Sequence, residues 1–348
     1  MVSLFRGAGH SYGGGHCGEQ RTSFTSWFNE IDALNELSLS PFVMQSNADF
    51  SMEGSLSANC HGWQNNAGPF GNHITDLIVD RGNGPEKATE EIQSAVTGGW
   101  GLCGEIVDFN YKSIPNFKVA SLVSSSWAEQ VVGDDYDCDM LNIHLDDKFE
   151  KAVVNEHYYS KQIAKTKLTD NVPKWVPWMV RYCPWLRWFA QSNFNTRNTS
   201  NRNQMLYTSV DHFDFRNRKG ERITELFEIF IPQENAAEYV RLGKQHMAKI
   251  PNYNTTVRHI EEDKSSILSY AKGPTRGFVT LAKKKDTNRI HIRKLIDLAI
   301  SLGGSYYLPY NMYASVPQFQ KCYGRWEEFK KYQIVESPWS KKYLGAMN

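Results

Sequence analysis

The sequence predicts an α+β protein, and three observations carry that reading. Glycine-rich turns interrupt short apolar runs repeatedly before residue 105, so the N-terminal part consists of brief elements joined by loops that expose backbone. Residues 223–232 alternate as an antiparallel strand and run directly into an amphipathic stretch at 234–247. A second amphipathic stretch, 290–302, is stopped by Gly303 and Gly304. With 348 residues, 41% of them hydrophobic and 22% charged, the chain buries a sizeable core and most naturally divides into two domains.

The elements follow in order. The apolar run 2–5 reads as a strand, and residues 6–14 behind it read Arg-Gly-Ala-Gly-His-Ser-Tyr-Gly-Gly. Gly7, Gly9, Gly13 and Gly14 permit positive φ and free backbone N–H groups, while Arg6 and Ser11 add side-chain donors. This composition suits a diphosphate cradle, and equally an ordinary turn when taken alone. It is not the dinucleotide G-x-G-x-x-G, because Ser11 and Tyr12 occupy that spacing and no amphipathic helix follows Gly14.

Apolar positions at Trp27, Phe28, Ile31, Leu34 and Leu37 predict a helix over 27–39. Pro41 predicts a turn, 42–44 a short strand, and 50–64 a polar, glycine-punctuated loop whose small residues let a flat ligand lie against backbone. Residues 74–79 predict a buried strand ending in a turn at 82–85, and 87–96 a helix. A third glycine-dense turn, 97–107, leads into a strand. Punctuation of this kind ceases after Pro115, which marks a boundary near residue 118.

Composition excludes several functions. A net charge of +1 supplies no field for nucleic acid, and no basic tract with interleaved aromatics forms a groove for it. No apolar run approaches the roughly 18 residues that span a bilayer, so membrane insertion is not expected and a cytoplasmic location is. The six cysteines lack CxxC spacing and read as reduced thiols. His10, His16, Cys17, Cys60 and His61 offer metal-ligand chemistry at irregular spacing, and no metal is expected. Between residues 172 and 190, Trp175, Trp178, Trp185 and Trp188 interleave with prolines and with Lys174, Arg181 and Arg187, a basic and aromatic pattern that also suits a membrane surface; because the prolines break any long interfacial helix, these tryptophans are expected to pack against the second domain or cover a pocket.

Taken together, the three glycine-rich segments resemble the FAD-linked oxidases of the vanillyl-alcohol-oxidase family, nearest to its sugar-lactone and alditol oxidases. The matching residues are the Arg-Gly-x-Gly-His-Ser loop at Arg6, Gly7, Ala8, Gly9, His10 and Ser11, followed by Tyr12. A Gly-Ser-Leu-Ser-x-Asn-x-His-Gly-Trp-Gln segment matches through Gly54, Ser55, Asn59, His61 and Gly62, and a Gly-Gly-x-Gly-Leu-x-Gly-x-Ile turn through Gly99, Gly101, Gly104 and Ile106. The resemblance implies a PCMH-type FAD-binding domain over 1–118, an antiparallel-sheet substrate domain with flanking helices over 119–305, and a segment over 306–348 that returns to the flavin. It implies FAD as cofactor, with His10 where several relatives attach it covalently, and these residues as its binding set. Asn47 stands near the position of the second attachment point of bicovalent relatives, so no thiol link is expected.

A flavin carries the redox chemistry itself, so catalytic side chains are few. By resemblance Arg258 lies near the flavin N1 and C2 carbonyl, where a fixed cation stabilises the reduced anion. Tyr307 and Tyr310 flank Leu308 and Pro309 in the closing segment and are the candidates for proton transfer. The closing segment lacks the family's His-Trp-x-Lys motif, and Thr256 replaces an acidic residue of the alditol enzymes. The implied function is oxidation of a small-molecule alcohol or sugar-like hydroxyl by hydride transfer to flavin N5. Relatives carry more chain ahead of the first loop and between it and the second, so a shortened first subdomain is expected, with a partner chain to cover it. The alternative function is a non-catalytic family member that binds or scaffolds.

Overall fold

The structure is a computed structural model that describes residues 25–170, 172, 175–183 and 200–347, together with the backbone of a short parallel pair, β1 (Phe5–Arg6) and β2 (Glu19–Gln20). Its centre is an eight-stranded, wholly antiparallel sheet. The strands are β8 (Phe117–Trp127), β9 (Met140–Leu145), β10 (Lys151–Ile163), β11 (Ser200–Asn201), β12 (Thr224–Pro232), β13 (Asn252–Ile260), β14 (Thr275–Lys283) and β15 (Ser305–Tyr306). Their spatial order is β11-β8-β10-β9-β13-β14-β12-β15. Helix and antiparallel sheet thus combine as the α+β reading requires.

Register divides the sheet into two chemically different faces. Val257 lies opposite Ile143 and Phe278, and Phe278 opposite Ile229, so this set shares one face. Two helices cover it, α7 (Ala236–Met247) and α8 (Asn288–Ser301); Tyr239 of α7 meets Phe278 at 4.7 Å between ring centroids. Burial of Ile292, Leu295, Ile296 and Ala299 on α8 confirms the periodicity read at 290–302. The opposite face carries Asn142, His144, Thr256, Arg258, Glu228 and Phe230, and it meets the N-terminal part.

That part is small. Helix α1 (Trp27–Glu36) is capped by the Ser26 side chain and buries Trp27, Ile31 and Leu34. Strands β4 (Ile74–Asp80), β5 (Pro85–Lys87) and β6 (Glu105–Tyr111) form one antiparallel sheet, and β3 (Leu39–Pro41) pairs with β7 (Ser113–Pro115).

Four local expectations change. The helix expected over 27–39 ends at Glu36, and Leu39 already belongs to β3. The strand expected at 42–44 lies at β3 instead, with Pro41 at its end opposite Ser113. The expected loop at 50–64 contains helix α2 (Met52–Ser57), started by the Ser51 hydroxyl, which accepts from Gly54 N at 3.2 Å. The helix expected from 87 begins at Glu90 as α3 (Glu90–Val96), because Thr89 caps it and the preceding residues pair with β4. Between β7 and β12 lie the short helices α4 (Ala128–Val131), α5 (Trp175–Tyr182) and α6 (Arg202–Leu206), and three more, α9 (Val316–Cys322), α10 (Trp326–Lys330) and α11 (Pro338–Tyr343), follow β15.

Candidate active site

The polar face of the sheet and residues 42–64 enclose a buried cluster. Antiparallel pairing places Arg258 of β13 beside Asn142 of β9, and its Nη1 donates to Asn142 Oδ1 at 2.7 Å. Its Nη2 donates to Ser46 Oγ at 3.2 Å, and the guanidinium lies over the Trp63 ring at 5.3 Å. Trp63 Nε1 donates to the same Ser46 hydroxyl at 2.6 Å. Every hydrogen-bonding partner of Arg258 is therefore neutral, and burial pulls its pKa down to about 9, with Glu228 opposing the fall.

Glu228 supplies the cluster's negative charge. Its Oε2 lies 2.8 Å from His61 Nε2, and Tyr310 donates to its Oε1 at 2.7 Å. With a carboxylate on Nε2, that nitrogen carries the imidazole proton and Nδ1 is left as the basic lone pair. Nδ1 is buried and has no hydrogen-bond partner among the described residues. The ring is walled by Phe230, Tyr270 and Tyr307, with centroids 5.5, 5.9 and 5.8 Å away.

Tyr307 donates to the Ala58 carbonyl at 2.8 Å and Tyr270 to the Asn59 carbonyl at 2.9 Å. Both phenols thus pin the backbone just ahead of His61, and burial raises both pKa values well above the usual phenol range. Two further histidines, His144 and His157, are pushed down to about 4 by burial and are neutral.

The remaining sequence-derived residues fall in three places. Arg6 ends β1, and its side chain lies outside the described residues, as do Gly7, Ala8, Gly9, His10, Ser11 and Tyr12. Gly54 and Ser55 are in α2, where Ser55 Oγ accepts from Trp27 Nε1 at 2.9 Å. Asn59, at φ +47°, accepts from Gly71 N at 2.9 Å. A Cβ on Gly62 would stand 1.9 Å from the Met44 carbonyl oxygen, so this glycine is required by two touching backbones.

The third glycine segment packs on the second. Gly98 N donates to Leu56 O at 3.1 Å and Trp100 N to Ser57 O at 3.0 Å. Gly99 leaves no room for a side chain, with the Ala95 carbonyl 2.2 Å from its Cβ position, while Gly101 and Gly104 take φ values of +74° and +152°. Ile106 is buried on β6 opposite Val79.

Arg258, Tyr307, Tyr310 and His61 are therefore brought together with Trp63 and Gln64, the last residues of the second motif, and Glu228, Asn142 and Ser46 join them without having been singled out in the sequence. For Glu228 a signal existed, shared with Glu225: these are the two charged residues in the largely apolar run 223–232.

A fit to FAD is tested by what the cluster leaves unpaired. His61 Nδ1, both ends of the Gln64 amide, Asn155 Oδ1 and His157 Nε2 are buried without hydrogen-bond partners among the described residues. Unsatisfied donors and acceptors on the face that carries Arg258, a guanidinium with neutral partners, suit a ring rich in nitrogen and carbonyl groups, and are costly without one. The residues present fit the group.

No family model and no curated protein matches the chain. Solved structures do, and they define a fold class: the chain has the fold of cholesterol oxidases. A solvent-stable cholesterol oxidase matches with a TM-score of 0.59 at 12% identity, over 81% of this chain and 68% of that one. The Brevibacterium sterolicum cholesterol oxidase matches at 0.58 and 10% identity, over 92% of this chain and 80% of its own, and its histidine-to-alanine variant at 0.59 over the same shares. At such identities the likeness is one of fold alone.

Proposed function

We propose that the protein is an FAD-dependent oxidoreductase that oxidises an alcohol or sugar-like hydroxyl to the carbonyl. The observation that carries this reading is the buried His61–Glu228 pair together with Arg258, whose hydrogen bonds go to the neutral Asn142 and Ser46, on the polar face of the central sheet. The ordered glycine-rich motifs support it, as does the fold shared with enzymes that are by name oxidases of a sterol alcohol.

FAD, when bound, supplies the acceptor for the hydride that leaves the carbinol carbon. Its diphosphate would be held by the loop at Arg6, Gly7, Ala8, Gly9, His10 and Ser11, with His10 as a covalent anchor; Gly54, Ser55, Asn59, Gly62, Gly99, Gly101, Gly104 and Ile106 shape the rest of its binding surface. The chain's own residues handle the proton and the charge. His61 Nδ1 takes the hydroxyl proton, and the Glu228 carboxylate on Nε2 orients the ring and stabilises the imidazolium that forms. Tyr310 holds the second carboxylate oxygen of Glu228. Tyr307 and Tyr270 fix the backbone that aims His61. Arg258 would supply a fixed positive charge to stabilise the reduced cofactor.

The visible absorption spectrum tests the reading. Purified protein is expected to be yellow or to bind added FAD with a spectral change, and to bleach anaerobically with an alcohol substrate. Colourless protein with no response to FAD would overturn it and leave the non-catalytic reading.

A further inference from the structure

Of the four tryptophans between residues 172 and 190, Trp185 and Trp188 lie outside the described residues, and Trp175 and Trp178 are left largely exposed. On α5, Trp175, Trp178 and Tyr182 are 54%, 58% and 54% exposed, while Val176 and Met179 face inward. Spaced by three and four residues, the three aromatic rings form one stripe on the solvent side of the helix. Large aromatics with a polar edge, held in water on successive turns, match the headgroup layer of a bilayer better than bulk solvent.

Cations adjoin the stripe. Arg181 Nη2 donates to the Arg216 carbonyl at 3.1 Å and its guanidinium lies 5.7 Å from the Phe215 ring centre, so the end of α5 abuts the turn at 214–222. In that turn Arg216 and Arg222 both pair with Asp214 at 2.6 Å. Arg218 and Lys219 are exposed and make no ion pair among the described residues. In sequence, residues 171–201 contain no Asp or Glu but four basic residues (Lys174, Arg181, Arg187 and Arg197), in a chain whose net charge is only +1. No described helix is long and apolar enough to cross a membrane.

We propose that α5 and the adjoining 214–222 turn form a docking surface for an anionic lipid bilayer. Trp175 and Trp178 enter the headgroup region, and Arg181, Arg218 and Lys219 meet lipid phosphates. The contact is peripheral, since α5 has only eight residues. It is independent of any cofactor.

Co-sedimentation of the full chain with large vesicles tests this, comparing phosphatidylcholine alone with phosphatidylcholine containing a third phosphatidylglycerol. Binding to the anionic vesicles is expected, with a blue shift of tryptophan fluorescence. The double variant Arg218→Glu/Lys219→Glu should weaken it by about fivefold per cation removed at low salt. Trp175→Ser/Trp178→Ser should abolish the blue shift while leaving circular dichroism and melting temperature unchanged. Absence of binding to anionic vesicles at low salt, or binding that neither variant reduces, would overturn the proposal. So would a dimer in gel filtration that Trp175→Ser/Trp178→Ser converts to monomer, which would assign the stripe to a second copy of the chain.

Discussion

Two buried arginines should respond oppositely to the same substitution, and the contrast isolates the candidate site. Arg202 is fully buried and is spent on structure: Nε donates to Tyr159 OH at 2.6 Å, Nη1 to Ser40 Oγ and Pro41 O, and Nη2 to Phe42 O at 2.5 Å. Replacing it with methionine leaves buried carbonyls unsatisfied and should cost about 3–5 kcal/mol of stability. Arg258 is 6% exposed, and only two neutral side-chain oxygens accept from it. Its fall from 12.5 to about 9 corresponds to roughly 5 kcal/mol of uncompensated burial of charge. Arg258→Met removes that penalty but strands two acceptors at about 1–3 kcal/mol each. The unliganded protein should therefore be unchanged or up to about 3 kcal/mol more stable. Urea unfolding of flavin-free protein, wild type and both variants, reads these differences directly. An Arg258→Met protein destabilised by more than about 2 kcal/mol would refute the reasoning, because the guanidinium would then be a structural clamp like Arg202.

Further expectations follow from the same contacts. Glu228→Gln keeps the shape beside His61 but removes the charge that supports imidazolium, so turnover should fall about 10²–10⁴-fold with the bound-flavin spectrum little changed; retained turnover would remove His61 and Glu228 from the chemistry. His157 and His259, 1% and 2% exposed, are pushed down by burial to about 4 and about 2. Their folded-state values lie below the unfolded value near 6.5, so the unfolded chain takes up more protons as pH falls. Stability should accordingly decline from about pH 6.5 toward pH 4, and His157→Gln should flatten that decline in a pH series of urea unfolding. Gly62→Ala drives a methyl group into the Met44 carbonyl, 1.9 Å from the Cβ position, and should destabilise the protein by more than about 3 kcal/mol in the same assay.

How far the sequence reached depended on how local each signal is. Helix α8 was legible because its apolar positions recur at helical spacing and glycines end it. Strand β12 and helix α7 were legible for the same reason, each carrying its own period. The strands between 117 and 163 drew no assignment. Strand β8 reads Phe-Lys-Val-Ala-Ser-Leu-Val-Ser-Ser-Ser-Trp, with much of its length exposed and serines where a one-sided strand would show apolar residues. Helix α2 was hidden by composition: Met-Glu-Gly-Ser-Leu-Ser has weak helix propensity, and the Ser51 cap together with burial of Met52 and Leu56 forms it.

The site was partly legible in the same way. Arg258, Tyr307, Tyr310 and His61 could be singled out by their motifs, but their convergence depends on pairings that join β9 to β13 and β12 to residues 42–64, distant in sequence. Asn142 and Ser46 have no local signature, because only the register of the sheet makes them partners of Arg258. The glycines of the second and third segments show tight backbone packing at Gly62 and Gly99, a role that the motif alone did not announce.

The central claim is that this cluster and the glycine-rich loops hold a flavin. The visible spectrum of purified protein, recorded before and after acid precipitation, addresses it most directly. The account predicts flavin absorbance in the native protein and yellow colour retained in the acid pellet, with His10→Ala releasing that colour to the supernatant. A protein that is colourless as purified, and whose spectrum and melting temperature do not respond to added FAD, would contradict it.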